Sequence, residues 1–154
     1  MPKVFYLAVL ALCTWATVNA AVRADTRDAV TAEPDLEGLA AVPFRVRNET
    51  GRPLVCSAVL AHWYSAPIGT VPPGEQLEAR LWSKPASGEV FLLNVRDDRM
   101  PIQSLWCGYQ GADITTRSLV VLDRRAGQVE PPVNMICRSD GETHALDCRR
   151  STAE

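Results

Sequence analysis

Histidine is the side chain that most readily moves protons near neutral pH, and this sequence has two, His62 and His144. His62 stands in Ala61-His62-Trp63-Tyr64, among apolar neighbours. The Gly-x-Ser-x-Gly turn that presents a nucleophilic serine is absent. A small hydrolase would therefore use His62 with a carboxylate such as Asp97 or Asp98. The competing reading is a structural histidine, hydrogen-bonded at the end of a strand, with His144 on the exposed turn after Asp140-Gly141.

Asp97 and Asp98 lie in Asn94-Val95-Arg96-Asp97-Asp98-Arg99. Adjacent carboxylates can hold a hard cation or divide acid and base roles. Here Arg96 and Arg99 flank and neutralise them, so the segment reads as a solvated hairpin loop. A copper site would draw on His62, His144, Met100 and Met135, which supply the right atoms. None of these four is closely paired with another along the chain. Neither a metal nor a cofactor is expected.

The remaining candidates are aromatic. Trp63, Tyr64, Trp82, Trp106 and Tyr109 are many for so short a chain. An exposed Trp can stack on a sugar or anchor a protein partner, but the ordinary expectation for each Trp is core packing. Trp106 and Cys107 must face opposite ways on a strand, as must Trp63 and Tyr64. Binding is assigned to His62, Trp63, Tyr64, Asp97 and Asp98, where a strand runs into Ser65-Ala66-Pro67 and its loop.

Five cysteines are present, and Cys13 falls in an N-terminal apolar run. The other four, Cys56, Cys107, Cys137 and Cys148, read as two disulfides in an exported chain. A four-thiolate zinc site brings its ligands in close pairs, and no two of these are closer than Cys137 and Cys148. The expected pairing is Cys56–Cys107, tying two sheets, and Cys137–Cys148. A two-residue turn at Asp140-Gly141 would set Cys137 opposite His144, so the second bond is expected to need an irregular loop from Arg138 to Asp147.

Export is inferred from the start of the chain. Lys3 precedes an apolar run from Val4 to Val18, and Val18-Asn19-Ala20 is a small-residue cleavage site. That run is shorter than the ~20 residues that span a bilayer as a helix. Residues 1–20 are thus expected to be a signal peptide, placing the mature protein in the periplasm or outside the cell. Its removal takes Lys3 from 16 basic residues and leaves 15 against 18 acidic ones. With no basic tract, nucleic acid is a poor partner. Fourteen of the 16 basic residues are Arg, a bias of GC-rich coding that points to a bacterial periplasm. Asn48-Glu49-Thr50 matches the glycosylation pattern, relevant only in a eukaryotic secretory pathway.

These residues need a scaffold. Residues 21–42 are polar and acidic around Pro34 and read as a flexible arm. From Phe44 the period changes to two: Phe44 and Val46 alternate with Arg45 and Arg47, and Leu77, Ala79 and Leu81 with Gln76, Glu78 and Arg80. Leu54 to Tyr64 reads as one long strand with Leu54, Cys56, Ala58, Leu60, His62 and Tyr64 on the inward face. Pro72-Pro73-Gly74 is a turn, and Val90 to Val95 a strand buried on both sides. Ile102 to Tyr109, Ser118 to Leu122, Val133 to Cys137 and a weaker Thr143 to Cys148 complete the set. Seven or eight short strands suit a small antiparallel β-sandwich over residues 43–148, immunoglobulin-like in pattern, followed by a disordered tail over 149–154. The functional expectation is an exported non-enzymatic binding or accessory protein: an inhibitor, assembly factor or adhesin-like module. Its partner would be an envelope or extracellular protein, or a glycan. The small hydrolase and the copper carrier are the alternatives.

Overall fold

Alternation of buried and exposed side chains builds most of the structure. The computed structural model describes residues 36–61, 64–111, 114–141 and 145–151; the expected signal peptide and most of the expected arm lie outside them. Nine strands are described: β1 (Ala40–Asn48), β2 (Leu54–Leu60), β3 (Ser65–Val71), β4 (Gln76–Lys84), β5 (Glu89–Leu93), β6 (Arg99–Tyr109), β7 (Ser118–Val120), β8 (Val133–Ser139) and β9 (Leu146–Arg150). Their order is β3-β2-β6-β5-β4-β1-β8-β9, with β7 also on β6. Val42, Phe44, Val46, Leu54, Cys56, Ala58, Leu81, Leu105 and Val133 belong to one buried cluster. The inward face read for Leu54 to Leu60 is therefore the observed one.

The fold is all-β, but its sheet is mixed rather than purely antiparallel. β1 and β8 run parallel, with Val46 opposite Met135, while every other pair is antiparallel. The chain between β1 and β8 carries β2 to β7, and the segment 121–132 then leads from β7 to β8. β6 serves two ladders. Its start pairs with β5, Pro101 opposite Phe91, and its remainder with β2 and β7.

Several boundaries differ from the sequence reading. Ala40–Val42, assigned above to the arm, belong to β1, and Val42 is in the core. Arg149 and Arg150, assigned to the tail, belong to β9. The long strand stops at Leu60, and Ser65–Val71, read as a loop, returns as β3. Pro67 misled there: proline is tolerated on an edge strand or at a bulge, and β3 is both, with its register shifting opposite Cys56 and Ser57. β5 ends at Leu93, and Val95 is exposed in the turn beyond it.

Both expected disulfides are present, with different geometry from that anticipated. Cys56 and Cys107 sit directly opposite one another on the β2–β6 ladder, so the bond joins neighbouring strands rather than two sheets. Cys137 and Cys148 are likewise opposite on the β8–β9 hairpin, with Cα atoms 4.0 Å apart. No irregular loop over 138–147 is needed. Asp140 N–H donates to the Ala145 carbonyl (3.0 Å), so the connection is longer than a two-residue turn and the register moves accordingly. The Cys137 carbonyl accepts from Glu49 N–H (2.9 Å), and Cys148 N–H donates to Ser118 Oγ (2.9 Å). Their backbones thus bond away from each other, which is the close, non-hydrogen-bonded type of cross-strand pair. The Cys148–Ser118 bond and the β8–β9 ladder hold β9 beside the sulfur bridge. Replacing Cys137 and Cys148 together by Ala should leave a folded protein whose urea midpoint falls by an amount equivalent to about 3 kcal/mol, the chain-entropy value for so short a loop. A failure to fold would show that the bridge, not the ladder, positions β9.

Candidate functional site

The β5–β6 turn is built by one side chain. Asn94 Oδ1 accepts from Arg96 N–H (2.8 Å) and Asp98 N–H (3.0 Å), and its Nδ2 donates to Asp98 Oδ2 (2.8 Å). Asn is suited to this because its amide mimics a backbone turn. Asp97 takes the left-handed conformation, φ 62°, which Asp and Asn tolerate better than most residues. The turn separates the two carboxylates. Asp98 lines a cleft beside the β2–β3 hairpin, and Asp97 lines another over the outward face of β1 and β4.

The first cleft, of about 470 Å3, is bounded by Leu60, Ala61, Tyr64, Asp98, Met100 and Pro101. Leu60 N–H donates to the Tyr64 carbonyl (2.7 Å), closing the hairpin. Tyr64, read as inward, is instead 68% exposed at its edge, because the strand stops at Leu60 and its alternation does not carry on to residue 64. His62 and Trp63 lie between these positions but outside the described residues, as does His144. Of the five residues assigned to binding, the structure brings Tyr64 and Asp98 to one cleft and sends Asp97 elsewhere. The two carboxylates thus line different clefts. Met100 borders this cleft while Met135 is buried in the core on β8, so the two methionines do not meet. With all four described cysteines in disulfides, a four-thiolate zinc site is excluded. Among the described residues, no three His, Cys, Asp or Glu side chains group as metal ligands.

The second cleft, of about 710 Å3, was not anticipated. Ala41, Pro43 and Arg45 of β1 face Trp82, Arg80 and Glu78 of β4, pair by pair. Leu93 and Asp97 close the β5 side. Trp82 is half-buried on this outward face, not in the core. Trp106 is likewise half-buried on β6, opposite in direction to buried Cys107 as alternation requires, and the Arg117 guanidinium lies 3.6 Å from its ring centroid. The signal for Trp82 was present: Gln76, Glu78 and Arg80 mark the solvent face of β4, and the same period of two carries on to Trp82.

The electrostatics of this cleft are uneven. Arg45 Nε and Glu78 Oε1 pair at 3.3 Å, both side chains well exposed, an arrangement worth little in stability. The Arg80 guanidinium sits 5.8 Å from the Trp82 ring centroid, within reach of a cation–π contact. Among the described residues neither Arg80 nor Asp97 has an oppositely charged partner.

The chain matches no known family model, no curated protein and no solved structure.

Proposed function

We propose that this chain is an exported, non-enzymatic binding or accessory protein of the periplasm or the extracellular space. In this reading the signal peptide is removed after Ala20, and the two ladders that share β6 face each other as a β-sandwich. The observation that supports binding is Tyr64, a large aromatic left exposed beside the apolar Leu60, Met100 and Pro101. Its hairpin extends from β2, which the Cys56–Cys107 bridge fastens to β6. An aromatic presented by a rigid sheet loses little conformational freedom on contact, which is why Tyr is frequent among binding hot spots. The partner is an envelope or extracellular protein that covers the loop end of the sheet.

Tyr64→Ala tests this directly. Little native packing is lost at so exposed a position, so the unfolding midpoint should move by less than about 0.5 kcal/mol. Affinity for a partner captured from the native envelope should fall by about 2 kcal/mol, close to thirtyfold. Unchanged affinity with unchanged stability would remove Tyr64, and with it this cleft, from the binding surface.

A further inference from the structure

The Trp82 cleft carries a second and separate inference, independent of the reading of the Tyr64 cleft. The geometry points to a binding site for a neutral pyranose oligosaccharide, seated on Trp82 between Arg80 and Asp97.

The argument begins with charge. Arg45 and Glu78 neutralise each other on one wall. Arg80 and Asp97, both lining the same cleft, are of opposite sign and have no ion-pair partner among the described residues. An anion attracted to Arg80 would be opposed by Asp97, and a cation attracted to Asp97 by Arg80. The cleft therefore selects a ligand without net charge.

Hydrogen bonding narrows the class. An arginine only donates and an ionised aspartate only accepts, so the occupant must accept on one side and donate on the other. A hydroxyl does both, and neighbouring hydroxyls on a ring can meet a guanidinium fork or a carboxylate. The floor supplies the remaining contact. Trp82, Pro43 and Leu93 form an apolar surface, and the C–H face of a pyranose ring is apolar while its edge is polar. The cleft volume of about 710 Å3 lies within the roughly 300–1,000 Å3 typical of small-ligand sites. It is also open enough to admit a chain of rings rather than one enclosed sugar.

Cellohexaose, chitohexaose and maltohexaose, added to the mature protein, are the probes. The Trp82 indole Nε1–H resonance, assigned by Trp82→Phe, should shift saturably with at least one of them, while the Trp106 resonance stays fixed. Trp82→Ala should weaken that binding at least tenfold. Asp97→Asn is the decisive companion, because Asn tolerates the left-handed turn and only the negative charge is removed; binding should weaken several-fold with the melting temperature unchanged. Tyr64→Ala should leave sugar binding intact, which separates this site from the loop cleft. No saturable shift with any of the three sugars would overturn the assignment. So would a stronger response to hexaglutamate or hexalysine, which would make the occupant a charged peptide.

Discussion

Glu130→Ala is expected to destabilise the protein by about 4 kcal/mol, because two backbone N–H groups lose a buried acceptor at roughly 1–3 kcal/mol each. Glu130 is 4% exposed, and both of its carboxylate oxygens are engaged. Asp123 N–H donates to Oε1 (2.9 Å), Arg124 N–H to Oε2 (2.8 Å), and Arg150 Nη2 lies 3.2 Å from Oε1. Its own N–H donates to Ser83 Oγ (3.1 Å), inside β4. This carboxylate anchors the segment 121–132 that leads into β8. The same segment packs tightly elsewhere: a Cβ added at Gly88 would lie 2.6 Å from the Arg124 carbonyl oxygen, and Gly127 N–H donates to the Pro85 carbonyl (2.7 Å). Truncating Glu130 leaves the Asp123 and Arg124 N–H groups without their acceptor and removes one partner of Arg150, which keeps the Val121 carbonyl (2.9 Å) and Asp123 Oδ1 (3.8 Å).

Urea unfolding measures the loss, and amide exchange locates it, since the Asp123 and Arg124 amides should lose protection first. Glu130→Gln keeps the shape but turns one acceptor into a donor facing an N–H, so an intermediate loss of about 2 kcal/mol is expected. A change below about 1 kcal/mol for Glu130→Ala would mean that packing alone holds the segment.

The contrast between what could and could not be read from the sequence follows interaction range. Phe44 with Val46 and Leu54 with Cys56, Ala58 and Leu60 announced their faces because alternation is local. The pairing of cysteines was legible for the same reason, since two bridges among apolar strands leave few options. Their geometry was not, because it depends on register. The length of the connection after Ser139 decides which residue faces Cys137, and no local pattern states that length. β3 was hidden by Pro67, whose tolerance on an edge is a property of the sheet and not of the segment. Glu130 looked like one acid among 18, and only the fold shows that it is enclosed. At the candidate sites, Tyr64 and Asp98 were chosen for being near turns, which was enough to place them in one cleft. Trp82 was passed over because a lone Trp is usually core, although its own strand already marked it as outward.

Asn48→Ala should be comparably damaging, again by about 4 kcal/mol, although the position resembles a modification site. Asn48 is fully buried. Its Nδ2 donates to the Arg52 carbonyl (2.8 Å) and the Val71 carbonyl (2.9 Å), and its Oδ1 accepts from Thr50 N–H (2.9 Å) and Thr50 Oγ1 (2.8 Å). The amide thus uses both donors and accepts two bonds, tying the end of β1 to the turn before β2 and to the end of β3. Each buried group deprived of its partner costs roughly 1–3 kcal/mol, and Ala deprives the Val71 carbonyl and Thr50 N–H at once. Asn48→Asp should be at least as harmful despite its shape, because a carboxylate has no donor for two carbonyls and brings charge against them. Thr50→Ser keeps the hydroxyl and should lose less than about 1.5 kcal/mol. The same enclosure decides the meaning of Asn48-Glu49-Thr50. A glycan on Nδ2 has no room in the folded protein, so material secreted folded from a eukaryotic host should carry an unmodified Asn48 by mass spectrometry. A folded, glycosylated Asn48 would refute the buried network outright.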